Sequence, residues 1–347
     1  MHGFSIFRCF VGKIDCVVSV IIPAYNAEDF IEQAVHSVLK QTMSNFEIII
    51  VNDASRDKTR EKSLKLCELD ERIIYFENAK NLGVSESRNF GIRKSKAKYI
   101  AILDSDDLWR EDRLSIMIEH MEKNNLDMLA DQLVVLTENS RENAFSPEWM
   151  KYNKYINIFR YMSMDWPGLQ KTMPLCYMKP VFRKEFILKE NIFYDKELSI
   201  GEDSLFYSCM VVAGAKFMVI PDALYFYTVR DGSLSKINLP ALQLMKIPKK
   251  IMEFCISRNI VIDRKIQFAI NAKYQSYLLK HSIDLMKNSF YKKSILNLMK
   301  IQIGTYVRWA VYFIKLSCRK FFISSGFKFG TRKEITPPFI STLRRMS

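Results

Sequence analysis

The sequence predicts an α/β protein whose mainly parallel sheet is flanked by helices. Three observations carry that expectation. Apolar, β-branched runs alternate with helical stretches over roughly the first third of the chain. Each run is apolar throughout, as strands buried on both faces are, rather than at every second residue. Polar clusters follow at the ends of the runs, where open sheets of this kind bind their ligands.

Residues 17–23 (VVSVIIP) form the first run, followed by Ala24-Tyr25-Asn26. Asn26 has the chemistry of a helix N-cap, with Glu28 and Asp29 in the first turn. Phe30, Ile31, Val35, Val38 and Leu39 then recur at helical spacing to about Lys40. A second strand, 46–51 (FEIIIV), ends at Asn52-Asp53, and a polar helix runs from about Thr59 to Cys67. A third strand at 72–76 (RIIYF), a helix from about Val84 to Ser95 and a fourth strand at 99–103 (YIAIL) complete the alternation. Residues 125–235 are less periodic, with apolar segments at 133–136 and 217–220 and proline-containing stretches at Trp166-Pro167 and Met173-Pro174. From about 238, Leu242, Leu244, Ile247, Ile251 and Met252 begin a long, basic, helical tail. The expected organisation is an N-terminal extension (1–15), an α/β domain (16–237, in halves 16–125 and 126–237) and a basic helical region (238–347).

Composition narrows the class. The chain has 347 residues, 48% hydrophobic and 26% charged, which argues for a packed core and against disorder. A formal net charge of +14 favours an anionic partner such as a nucleotide diphosphate, a nucleic acid or an acidic lipid surface. The seven cysteines are scattered without a C-x-x-C pair, as expected for reduced, buried thiols in a cytosolic protein. Arg8 and Lys13 interrupt the apolar residues of 1–15, which is too short for a signal peptide or a spanning helix.

The fourth strand ends on Asp104-Ser105-Asp106-Asp107, three carboxylates within four residues. In extended chain, side-chain direction alternates, so Asp104 and Asp106 face the same way. Crowded anions repel unless a cation compensates, and Mg²⁺ or Mn²⁺ takes one or two carboxylates together with substrate phosphates. The alternative is a turn in which Asp107 caps the helix near Arg113. No P-loop G-x-x-x-x-G-K-[ST] and no G-x-G-x-x-G is present, and His2, His36, His120 and His281 form no constellation.

The ordered segments VSVIIPAYNAEDFIEQAVHSVLKQT, FEIIIVNDASRDKT, NLGVSESRNFGI and KYIAILDSDDLW resemble the inverting family 2 glycosyltransferases with a GT-A, Rossmann-like fold. The resemblance is close over about 17–125 and looser over 175–235, and in style it is similar to bacterial exopolysaccharide and lipopolysaccharide enzymes, including succinoglycan-type transferases. It implies that Pro23 and Tyr25 border the nucleotide base, with Asn26 beside them and Tyr25 stacked on the ring. It implies that Asp53 accepts a hydrogen bond from a uracil-type imide, and that Asn81, Gly83, Arg88 and Asn89 lie near the nucleotide. Gly83 has the chemistry for a positive φ or a close backbone approach, and Arg88 for pairing with phosphate or with an internal carboxylate. Asp104 would contact ribose or metal, Asp106 would be the main metal ligand and Asp107 a further candidate.

Later in the chain, Glu202-Asp203 matches the family's acidic pair at the acceptor site. Asp203 is the favoured general base and Glu202 the alternative. Both also suit a helix N-terminus, whose dipole stabilises acids. Tyr225-x-Tyr227-x-x-Arg230-x-x-Ser233 resembles a following stretch, with Arg230 a diphosphate contact.

These readings imply a nucleotide-diphosphate sugar donor, UDP-linked by preference, a glycan or lipid-linked acceptor, and no nucleic acid. Residues 301–329 mix Trp309, Phe313 and Phe321 with Arg308, Lys315, Arg319, Lys320 and Lys328. That pattern suits a helix lying on the anionic cytoplasmic face of the inner membrane, or a helix packed on the core. Metal-dependent nucleotidyl transfer would bring a glycine-rich loop after the first strand, where Pro23-Ala24-Tyr25-Asn26 stands instead. A non-catalytic nucleotide-binding or nucleic-acid-binding protein would show a basic stripe with stacking aromatics, whereas the expected site is acidic.

Overall fold

The computed structural model describes residues 5–7, 16–152, 154–163, 173–229 and 243–287. Its first strands are β1 (Ser5–Phe7), β2 (Val18–Ala24), β3 (Phe46–Asn52), β4 (Ile73–Glu77) and β5 (Tyr99–Ile102). Helices α1 (Ile31–Leu39), α2 (Thr59–Leu69) and α3 (Val84–Lys94) connect β2 to β5. These four strands are parallel in the order β4-β3-β2-β5. Every residue of β2, β3 and β5 is buried, which is why their sequences are apolar without alternation. Gly91 of α3 lies against Ile21 of β2 so closely that a Cβ would sit 2.4 Å from its Cγ2. β1 belongs to the stretch expected as an extension, yet it pairs antiparallel with β4, Ile6 opposite Phe76.

The second half contains β6 (Leu108–Trp109), α4 (Arg113–Lys123), β7 (Met128–Leu136), β8 (Arg141–Asn143), α5 (Pro147–Tyr152), β9 (Tyr155–Ile156) and α6 (Ile158–Ser163). After them come a 3₁₀ turn at Leu175–Tyr177, β10 (Val181–Arg183), α7 (Lys184–Lys189), α8 (Glu202–Val212) and β11 (Phe217–Thr228). The sheet continues β5-β10-β7-β11-β6, with β8 on β7 and β9 on β11. β10 is antiparallel to both neighbours, Val181 facing Ala101 and Leu129, so the sheet turns mixed at this seam. β7 and β11 are parallel to each other.

Asn26 is not the cap of α1. Its φ is +48°, and the helix begins at Ile31, where no side chain caps the terminus. The Asn26 side chain instead accepts a hydrogen bond from the Arg56 amide at 2.9 Å. Glu28 and Asp57 accept reciprocally from Lys58 N and Glu28 N, so the two strand-end loops are tied to each other. Local capping preference yielded to a tertiary partner thirty residues away.

The described part of the basic helical region comprises α9 (Lys246–Ser257) and α10 (Arg264–Lys287). Ile247, Ile251 and Cys255 of α9 and Ala269, Ile270 and Tyr277 of α10 enter the main core. These helices therefore extend the α/β unit rather than start a separate body; one compact unit spans Met1–Ile301. The second unit, 302–347, and the whole of the stretch expected at the membrane surface, 301–329, lie outside the described residues. Among the described residues no helix is long and apolar enough to cross a membrane. Cys16, Cys209 and Cys255 are free thiols, as expected.

Candidate active site

The carboxylate cluster is a turn rather than extended chain: the Asp107 amide donates to the Asp104 carbonyl at 3.0 Å. Exposure nevertheless alternates along it. Asp104 and Asp106 are half-buried, while Ser105 and Asp107 are buried. Asp107 accepts from the Tyr225 hydroxyl at 2.7 Å and the Thr228 amide at 2.8 Å. Burial, with the charges of Asp104 and Asp106, pushes its carboxyl well above the usual range. Both of its oxygens thus accept from β11, so Asp107 ties the loop to that strand. The same tie continues as the β6–β11 ladder, Trp109 opposite Tyr225.

Asp104 meets Glu202 and Asp203 through two buried cations. Arg88 Nη2 lies 2.8 Å from Asp104 Oδ1, while its Nη1 lies 2.9 Å from Glu202 Oε1 and 3.1 Å from Asp203 Oδ1. Lys179 Nζ lies 2.9 Å from Asp104 Oδ2 and 2.7 Å from Asp203 Oδ2. Arg88, Asp104, Lys179 and Asp203 therefore alternate in a closed ring of opposite charges, with Glu202 attached at Arg88. Burial alone would raise the Asp104 carboxyl, but Lys179 and Arg88 outweigh it and hold the group well below the usual range. Glu202 goes the other way: burial and the neighbouring Asp203 raise it, against Arg88 and Lys179. Of the two roles open to Arg88, the structure selects the internal carboxylates. Its guanidinium also lies 5.1 Å from the centre of the Tyr194 ring, which stacks on Phe206 at 4.2 Å.

Glu202 and Asp203 occupy the first turn of α8, as the helix-terminus reading requires. Gly201 precedes them at φ +80°, and a Cβ there would stand 2.7 Å from Leu244 and Ile247 side-chain atoms. The positive φ favours glycine here, and a Cβ would also require the ends of these two side chains to shift.

The base-side residues gather at the ends of β2 and β3. Pro23 is buried in β2 opposite Val51, whereas Tyr25 is 45% exposed just beyond the strand. Asp53 is buried, accepting from Asn78 Nδ2 (2.7 Å) and from the amides of Leu82 (2.8 Å) and Gly83 (2.8 Å). It thus shapes the loop that carries Asn81, which is exposed. Gly83 has the expected positive φ, +89°, with open space at its Cβ position, so its backbone and not packing demands glycine. Asn89 faces away from this loop, exchanging two 2.8 Å hydrogen bonds with the Tyr194 backbone.

The family model for glycosyl transferase family 2 matches residues 19–186. An uncharacterized glycosyltransferase, MJ1057 of Methanocaldococcus jannaschii, is 33% identical over 235 residues, covering 66% of this chain and 77% of that protein. This chain belongs to glycosyl transferase family 2. The succinoglycan biosynthesis protein ExoO of Rhizobium meliloti is 30% identical over 227 residues, 63% of each chain. The chain spans 25% to 63% of the length of the first curated relatives it matches. S. aureus TarS in complex with UDP-GlcNAc shares the fold at 19% identity, with a TM-score of 0.62 over 85% of this chain and 79% of that one.

In this family 2 chain the structure joins Arg88, Asp104, Glu202 and Asp203 directly, and places Tyr25, Asn26, Asp53, Asn81 and Gly83 on the strand-end loops. Arg230 lies outside the described residues. Sequence reasoning missed Lys179 and Tyr207. Lys179 precedes Pro180 in an aperiodic stretch with no local signal of burial, and Tyr207 reads as one more apolar position of α8.

Among the described residues no group of three or more His, Cys, Asp or Glu side chains forms a ready metal cage. The donor set still fits a hard cation that takes most of its oxygens from phosphate and water. Asp106 is the half-buried carboxylate of the turn, and Asp104 stands beside it with its oxygens on Arg88 and Lys179.

Proposed function

We propose that the protein is an inverting glycosyltransferase. It moves a sugar from a nucleotide-diphosphate sugar to a hydroxyl of a glycan or lipid-linked acceptor in bacterial surface polysaccharide synthesis. One observation carries this reading beyond the family: the donor-side Asp104 and the acceptor-side Asp203 share the same two cations. UDP is the favoured nucleotide, in keeping with the UDP-GlcNAc complex of TarS, and ExoO's part in succinoglycan synthesis supports the polysaccharide context.

Tyr25 stacks on the base, flanked by Pro23 and Asn26, and Asp53 takes the base N–H with a lone pair left on Oδ2. Asn81 and Gly83 line the nucleotide, and Arg230 meets the diphosphate. Asp106, with Asp104, would hold Mg²⁺ or Mn²⁺, which would supply positive charge to a leaving diphosphate. Asp203 removes the acceptor hydroxyl proton as the oxygen attacks the anomeric carbon from the face opposite the nucleotide. The bond from that carbon to the diphosphate oxygen breaks, its electron pair leaves with the nucleotide, and the configuration inverts. Glu202 is the alternative base, favoured by its raised proton affinity. Residues 301–329 would hold the enzyme at anionic headgroups on the cytoplasmic face. Failure to co-sediment with anionic liposomes at low salt would remove that part.

The test is a donor screen for nucleotide diphosphate release with Mn²⁺ or Mg²⁺ and extracted lipid-linked acceptors. Asp106→Ala is expected to abolish metal-dependent donor binding. Asp203→Ala is expected to spare donor binding and lower transfer by about 10²–10⁴-fold, the usual contribution of a general base. Full activity in either variant overturns its assignment.

A further inference from the structure

Lys179 is a lysine only 6% exposed, and its position is set from both sides. Arg113 Nη2 donates to the Lys179 carbonyl at 2.7 Å, and Arg113 is itself fully buried against Asp131 at 2.7 Å. The Tyr207 hydroxyl lies 3.1 Å from the Met178 carbonyl and 3.4 Å from Asp203 Oδ1. The backbone that presents the ammonium is therefore fixed by two buried side chains, one of which also touches Asp203. Without Lys179, three carboxylates would share Arg88 alone, and their repulsion would drive Asp104 and Asp203 apart.

We infer that Lys179 is a positioning residue, which with Arg88 closes a ring holding the donor-side Asp104 and the acceptor-side Asp203 at one fixed separation. The inference rests on the glycosyl-transfer reading. Lys179 works through the two carboxylates. Its loss should therefore damage the transfer step more than nucleotide binding, because a misplacement of about 1 Å costs on the order of 100-fold in rate.

The experiment compares wild type, Lys179→Met and Lys179→Arg in the full chain, with folding checked by thermal melts. Turnover is followed by nucleotide release, and UDP affinity by calorimetry. Lys179→Met is expected to lose about 100-fold in kcat with UDP affinity changed by roughly threefold or less. Lys179→Arg, which restores a cation between the carboxylates, is expected to recover at least about tenfold of that loss. An affinity loss as large as the kcat loss would make Lys179 a diphosphate contact and overturn the inference, as would unchanged kcat or no recovery with arginine. Should Lys179→Met not fold, Lys179→Gln carries the same comparison of kcat with affinity. A wild type inactive with every donor overturns the glycosyl-transfer reading itself. An active wild type matched by Lys179→Met overturns only the role of Lys179.

Discussion

The two halves of the sheet build their parts of the site by different means. On the donor side, β2, β3 and β5 are parallel neighbours, and each delivers its residues to one end by continuing the strand into a loop. On the acceptor side, β10 enters antiparallel between β5 and β7, and the functional groups come from the approach to β10 and the first turn of α8. The donor half is held by backbone ladders and loop-to-loop hydrogen bonds, such as those around Asp53 and Asn26. At the seam between the halves, buried charge joins the β5–β10 ladder. Strand ends are a general platform for a ligand, whereas bringing Asp104 and Asp203 together needed ion pairs drawn from both halves.

Breaking the seam should cost most. Arg88→Met leaves Asp104 and Asp203 to Lys179 alone and takes the Arg88 ion pair from Glu202, and removing one partner from a buried ionic group typically costs about 3–5 kcal/mol. Chemical denaturation should show that loss, and a loss below about 1 kcal/mol would mean the ring contributes little to holding the halves together.

The glycines sharpen the comparison at a smaller scale. Gly201→Ala adds a Cβ 2.7 Å from Leu244 and Ile247 at a positive φ, whereas Gly83→Ala meets strain but no neighbour. Strained φ alone costs about 1–3 kcal/mol, so Gly201→Ala should be the more destabilising of the two in the same denaturation assay. Equal losses would show that α9 yields freely over the start of α8.

The smallest effect is a pH dependence. Asp104 is held below its ordinary value of 3.8, so its contribution to stability is complete above that value and is lost as pH falls toward the folded one. Asp104→Asn should therefore flatten the fall of stability with pH below about 4, by at most about 1.4 kcal/mol per pH unit. An unchanged slope, measured with chelator present, would place the acid-sensitive proton elsewhere.

The donor half was largely legible because its strands are buried on both faces, which writes an uninterrupted apolar run into the sequence. Asp104, Asp106 and Asp107 were visible as a group, but not their division of labour. Asp107 looks like its neighbours in sequence and is distinguished by Tyr225 and Thr228, more than a hundred residues away. Asn26 carried a local capping signal that the facing loop overrode. β10 was hidden by its brevity, three residues in an aperiodic stretch.

By itself the sequence determined the order of strands and helices on the donor side, the acids at their ends and the family to which the chain belongs. The elements and their acids follow from local periodicity and from residue types within a few positions of one another, and the family from the resemblance of the ordered segments. The tertiary structure alone decided that Arg88 serves carboxylates, that Asp107 is a brace and that Lys179 belongs to the site. Each of those depends on which distant charge or hydroxyl arrives within about 3 Å. The energy of a buried charge is set by such neighbours and not by its own position in the chain.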